Sequence, residues 1–115
     1  MRTIILDTNF LVYCAHSKID LFRECERICH FPYSLAVLDV TINELEKIHP
    51  RDLKLIKLYI TKMEIIRSEE PSADLELIAR SEQGAVIATH DLALKKKLRR
   101  PIITIRQEKY LVLQE

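Results

Sequence analysis

Thr3-Ile4-Ile5-Leu6-Asp7-Thr8-Asn9-Phe10-Leu11 stands near the start of the chain, and its reading decides the fold. Residues 2–6 form a short run that is apolar on both faces, the signature of a strand covered on both sides in a parallel sheet. The run ends on an acid, and a helical pattern begins at about Asn9 and continues to His16. An acid so placed stands at the carboxyl edge of an open parallel sheet, where ligands bind. The arrangement recurs downstream, where Asp91 follows the run Ala85-Val86-Ile87-Ala88.

Between these two runs, strand and helix patterns alternate. A helix is expected from Asp20 to Cys29, with Leu21, Cys25 and Ile28 on one face, and a second strand from Tyr33 to Leu38. Thr41, with Glu44 three residues later, matches a capping box opening a helix through Ile48. Pro50 suits the first position of a further helix reaching about Ile60. Met63-Glu64-Ile65-Ile66 is predicted as a third, partly exposed strand. Ser72 is expected to cap a helix reaching Ser81, and Gly84 to stop it before the strand at 85–88. A helix from Leu92 to about Leu98, a fifth strand at Ile102–Ile105 and a short sixth at Tyr110–Leu113 complete the pattern. Strands alternating with helices in this way imply βαβ units, a mainly parallel sheet and a three-layer α/β/α sandwich.

The length of 115 residues fits a single domain, 1–115, and the hydrophobic fraction of 48% and charged fraction of 30% describe an ordinary globular protein. No apolar run approaches the ~20 residues that span a bilayer, so no membrane partner is expected and the predicted address is cytoplasmic. Three cysteines, Cys14, Cys25 and Cys29, argue against a disulfide framework and read as core or half-buried residues. The net charge of +1 does not announce a nucleic-acid binder, but Lys95, Lys96, Lys97, Arg99 and Arg100 crowd directly after Asp91. That run reads either as a solvated helix face or as a basic ridge beside an acidic centre, as a polyanion would require.

Glu44 and Asp74, early in their predicted helices, reach the same sheet edge as Asp7 and Asp91. Four carboxylates meeting there would repel by roughly 4 kcal/mol per pair at ~4 Å and an effective dielectric of ~20. Such a cluster calls for a divalent cation, and hard oxygen ligands select Mg²⁺-like ions. Each acid also has a structural reading: Asp7 and Asp91 as helix caps, Asp74 as a complement to a helix dipole, and Glu44 as the partner of Thr41 in the capping box.

The chain resembles the PIN-domain family. Ile4-Ile5-Leu6-Asp7-Thr8-Asn9-Phe10-Leu11 is similar to its first motif and Asn43-Glu44-Leu45-Glu46-Lys47 to its second. Ala73-Asp74-Leu75-Glu76-Leu77-Ile78-Ala79 is similar to the third, and Ile87-Ala88-Thr89-His90-Asp91-Leu92 to the fourth. The resemblance implies a five-stranded, mainly parallel sheet of order 3-2-1-4-5, which places Asp7 beside Asp91. It also implies one or two Mg²⁺ or Mn²⁺ ions and endonucleolytic cleavage of RNA, in ribosomal-RNA processing or as the toxin of a toxin–antitoxin pair. An antitoxin or a ribosome-assembly factor is then a possible partner, and a homodimer is expected through the helices at 20–29 and 52–60.

On this reading Asp7 and Asp91 hold the ion most directly, and Asp74 and Glu44 complete the shell. Asn9 and Thr89 orient ligands or water, and Lys95, Lys96, Lys97, Arg99 and Arg100 bind RNA. Many relatives carry additional aspartates where this chain has Leu75 and Ala93, which makes weak activity one expectation. Glu76 is turned about 200° from Asp74 on a helix of ~100° per residue and is not expected to substitute. The alternative is a non-catalytic PIN-type RNA-binding or assembly module with a vestigial metal site.

Overall fold

A computed structural model describes residues 1–115. Its centre is the strand read first, β1 (Arg2–Leu6), with β2 (Tyr33–Leu38) on one side and β4 (Val86–Ala88) on the other, both parallel to it. β3 (Glu64–Ile66) pairs parallel with β2, and β5 (Ile102–Arg106) parallel with β4. The sheet therefore carries the expected order β3-β2-β1-β4-β5, and β6 (Tyr110–Gln114) extends it as an antiparallel sixth strand beside β5. No helix is long and apolar enough to cross a membrane.

The helices are α1 (Thr8–His16), α2 (Leu21–Ile28), α3 (Asp39–Ile48), α4 (Leu53–Ile60), α5 (Ala73–Glu82) and α6 (Leu92–Lys95). Because strand side chains alternate, the sheet divides its apolar residues between two cores. Ile4 and Leu6 face Phe10, Leu11 and Cys14 of α1, together with Leu21, Cys25, Leu45 and Ile56 from the helices on that side. Ile5, Ile87 and Ile102 face Leu77 of α5 and Leu94 of α6 on the other. Full burial of a side chain such as Ile5 or Ile87 stabilises by roughly 1.5–3 kcal/mol. Of the two helices expected to offer a pairing surface, α2 turns Leu21, Cys25 and Ile28 inward, whereas α4 leaves Leu55 and Leu58 exposed.

Several boundaries differ from the sequence reading, each for a local reason. Thr41 does not open a helix: α3 continues directly from β2 and begins at Asp39, so the capping box with Glu44 is not formed. Asp39 is fastened from a distance instead, since its Oδ1 accepts from the Val40 amide and from both the amide and the hydroxyl of Ser68 beyond β3. Pro50 starts a turn, not a helix; its carbonyl accepts from Leu53 N–H at 3.1 Å, and α4 begins there. α6 ends at Lys95, after which Lys97 and Leu98 make tight bonds to carbonyls three residues back. Ser72 caps α5 as expected, accepting from Leu75 N–H at 3.2 Å. Gly84 follows that helix with φ +102°, a backbone conformation only glycine adopts without strain.

The outer edge of β6 is closed by α2. Glu24 Oε1 accepts from Leu111 N–H at 2.9 Å, and Arg27 donates to the Leu111 carbonyl at 2.8 Å. The same two side chains pair with each other, so helix and strand are joined by one small network.

Candidate active site

Register sets Asp7 beside Thr89, two residues before Asp91, and not directly beside Asp91 as the resemblance implied. Leu6 is aligned with Ala88, and Asp7 N–H continues the ladder by donating to the Ala88 carbonyl at 3.0 Å. Asp7 and Thr89 are therefore neighbours at the carboxyl ends of β1 and β4. The Thr89 hydroxyl donates to Asp7 Oδ2 at 2.9 Å and accepts from Asp91 N–H at 3.1 Å. Thr89 is fully buried, so this hydroxyl is a fixed link from the Asp91 backbone to the Asp7 carboxylate.

A second threonine system holds Glu44. Thr8 Oγ1 lies 3.1 Å from Glu44 Oε1 and 2.9 Å from Thr41 Oγ1, and both threonines are buried. A carboxylate only accepts, so Thr8 gives its single proton to Glu44 and takes one from Thr41. Thr41 is thus not a cap but part of the bridge between α1 and α3. The sequence reading missed Thr8; the available signal was a small hydroxyl residue directly after the strand-end acid.

Burial raises the pKa of Asp7 above the usual carboxylate value, and the charges of Asp74 and Glu44 add to the rise. The bonds from the Thr89 hydroxyl and the Thr8 amide offset only part of it. Asp74, exposed in the first turn of α5, and Glu44 therefore share the electrostatic field of Asp7.

Asp91 is turned differently: it is exposed and caps α6, its Oδ1 accepting from the amides of Ala93 and Leu94 at 2.9 and 3.1 Å. That leaves Asp91 Oδ2 and Glu44 Oε2 without a donor from the protein. No three His, Cys, Asp or Glu side chains converge as a ready-made metal cage. Asn9 is exposed in the first turn of α1 and makes no side-chain bond to any of the acids.

Other residues fall outside this group or beside it. Glu76 is a buried structural acid, 2% exposed, whose Oε1 accepts from the amides of Glu69 and Glu70 while Oε2 accepts from Arg80 Nε at 2.7 Å. Burial alone would raise its pKa, but Arg80 and the two amides outweigh that and hold it below the usual range. The His90 ring packs on Tyr13 with centroids 5.1 Å apart, and its Nδ1 is buried without a partner. Phe10 is core, and Tyr59 packs edge-on against Phe22.

The basic run does not form one ridge at the acids. Lys95, Lys96 and Lys97 lie on or just after α6, next to the acid edge. Arg99 and Arg100 instead precede the first residue of β5 and so stand at the opposite end of the sheet, where Arg100 donates to the Glu115 carbonyl at 3.1 Å. The chain between Lys95 and Arg99 travels down the sheet because Leu94 and Leu98 are both buried against it.

The comparison with known families settles the family. The PIN like domain matches residues 4–108, nearly the whole chain. This chain belongs to the PIN-like domain family. Among curated proteins, the PIN-like chain is 32% identical over 124 residues to "Ribonuclease VapC4" of Methanocaldococcus jannaschii, covering 96% of this chain and 95% of that one. Among solved structures it is similar to the PIN domain endonuclease Utp24, with a TM-score of 0.81, 26% identity and coverage of 97% and 90% of the two chains. The VapBC2 structure from Rickettsia felis, bound to a promoter DNA fragment, shares the fold with a TM-score of 0.54, 18% identity and coverage of 84% and 95%.

Proposed function

We propose that this PIN-like protein is a metal-dependent endoribonuclease that hydrolyses RNA phosphodiester bonds, with Asp7, Glu44, Asp74 and Asp91 holding Mg²⁺ or Mn²⁺. The observation that carries the reading is the state of Asp7. It is a half-buried carboxylate at the end of the central strand, disfavoured in its charged form by burial and by two neighbouring acids. A bound cation reverses that penalty. The donor set is all oxygen, which suits hard cations, and Mg²⁺ is commonly held by one or two carboxylates with water completing the shell. Acids that approach one another without forming a closed cage fit that habit. The relatives named a ribonuclease and an endonuclease support RNA hydrolysis.

When bound, the ion would polarise the scissile phosphate and lower the pKa of a water. The residues of the chain have separate tasks. Thr89 fixes the Asp7 carboxylate through one oxygen, and Thr8 fixes Glu44 through one oxygen, leaving the other oxygen of Glu44 free to face a ligand. Asp91 has one oxygen committed to α6 and one free, so capping and ligation are compatible. Asn9, exposed in the first turn of α1, would orient water, and the lysines after Asp91 would draw in the polyanion. The cellular role falls to ribosomal-RNA processing or to a toxin, with an assembly factor or a small antitoxin as partner.

Incubation with a short labelled single-stranded RNA tests the reading. Cleavage is expected with Mg²⁺ or Mn²⁺, to stop in EDTA, and to drop at least about a hundredfold in Asp7→Asn as transition-state charge stabilisation is lost. Cleavage by Asp7→Asn at the parent rate would overturn it. RNA binding without any metal-dependent cutting would favour the non-catalytic module.

A further inference from the structure

Towards the amino end of β1, away from the acids, a cavity of ≈ 360 Å³ opens between that strand and the end of α5. Thr3 lines it, four residues before Asp7 and so roughly 13 Å back along the strand at ~3.3 Å per residue. Alternation puts Thr3 on the same face as Ile5, the face that carries α5. Ile5 and Ile66 supply the apolar part of the lining, and Arg2, Thr3, Arg80 and Gln83 the polar part. No aspartate or glutamate lines it.

Arg2 is half-buried and fixed from two sides. Its guanidinium lies 5.2 Å from the centroid of the Phe31 ring, and its Nη2 donates to the Gly84 carbonyl at 3.2 Å. The other nitrogens of that fork have no protein acceptor, and every ion pair of the chain lies elsewhere. Arg80 commits Nε to Glu76 and Nη2 to the Arg67 carbonyl, with Glu69 at 3.9 Å from Nη2, which leaves Nη1 free. Gly84 also lines the cavity, and open space stands where its side chain would be. A half-buried guanidinium without a counter-charge favours an anion, and its planar fork matches two phosphate oxygens. The volume exceeds what a bare phosphate fills and reaches the range of sites for small organic ligands, which begins at about 300 Å³.

We infer that this cavity binds a small organic phosphate monoester of nucleotide size, with Arg2 and the free Nη1 of Arg80 on the phosphate. Thr3 and Gln83 bond the polar groups of the organic part, and Ile5 and Ile66 cover its apolar surface. This second site stands apart from the acid edge and does not depend on the ribonuclease reading.

Gly84 is the one glycine of the chain, so labelling with [¹⁵N]glycine gives a single amide signal at the rim of the cavity. Titration in EDTA with uridine monophosphate should move that signal to saturation. Inorganic phosphate should bind more weakly, and uridine should leave the signal in place. Arg2→Gln should weaken uridine monophosphate at least about tenfold, as for the loss of one hydrogen bond to a charged group. The new amide can still donate to the Gly84 carbonyl, so the fold is kept. Gln83 is exposed. There Gln83→Glu should weaken the nucleotide and Gln83→Lys should tighten it, opposite movements that a folding defect would not produce. A signal that does not saturate, a response to uridine equal to that of its monophosphate, or parent-like affinity in both Arg2→Gln and Gln83→Glu would overturn the site.

Discussion

At the scale of single residues, Asp7 shows how a site can work against the fold that carries it. Its pKa is raised in the folded protein, mainly by burial, so the folded state binds a proton more tightly than the unfolded chain. Stability attributable to Asp7 therefore falls as pH rises through that window, and at neutral pH the ionised carboxylate is a cost. Asp7→Asn should raise the thermal midpoint of the metal-free protein at pH 7, because the amide oxygen can still accept from Thr89. The gain should shrink as pH falls towards the ordinary aspartate range, where the parent is neutral as well. Differential scanning calorimetry in EDTA across pH measures both; a lower midpoint for Asp7→Asn at pH 7 would contradict this account. Asp7 and Asp91 were readable from local pattern, an acid after a short apolar run. Thr89 was named as an orienting residue through the family resemblance, whereas the Thr8–Thr41 link that holds Glu44 was not legible, because it joins residues distant in the chain.

At the scale of elements, Glu76 ties the segment after β3 to α5. Replacing it with alanine strands the amides of Glu69 and Glu70 and leaves Arg80 without its partner, a change of the kind that costs about 3 kcal/mol. Urea unfolding should show that loss. The pH sense is opposite to that of Asp7. With its folded pKa depressed, Glu76 contributes stability above the ordinary glutamate range that disappears as pH falls through the lower folded value. Glu76→Gln should accordingly flatten the acid limb of the stability curve, and an unchanged limb would contradict the assignment. Elements with purely local determinants, such as the Ser72 cap and the Gly84 stop, were legible in the sequence. The start of α3 was not, since Asp39 is satisfied by Ser68 on another connection. Thr41 carried the right residue type for a cap but is used by tertiary structure. Boundary shifts of one or two residues elsewhere are ordinary fraying.

At the scale of the whole molecule, the order of the sheet was inferred from a resemblance, and the antiparallel sixth strand adds to it without disturbing the edge that holds the acids. The basic run was mislocated as a unit because sequence adjacency hides direction. Five neighbouring cations begin at one end of the sheet and finish at the other. The junction of α2 with β6 governs how the sheet ends. Glu24→Ala should release Leu111 N–H and loosen Arg27, so hydrogen exchange at Leu111 should accelerate while amides of β1 keep their protection. Equal protection at Leu111 in parent and variant would show that the junction contributes nothing.

That junction has a wider reach than the fastening of one helix. A carboxylate receiving from a strand amide and a guanidinium giving to the carbonyl of the same residue imitate the peptide of a seventh strand. Recruitment of another polypeptide along β6 must first displace this counterfeit neighbour. At the far side of the sheet, β3 offers only three residues and carries Glu64. Runaway stacking of one sheet on the next is thereby blunted at both margins, leaving the carboxyl end of the strands free to receive a ligand.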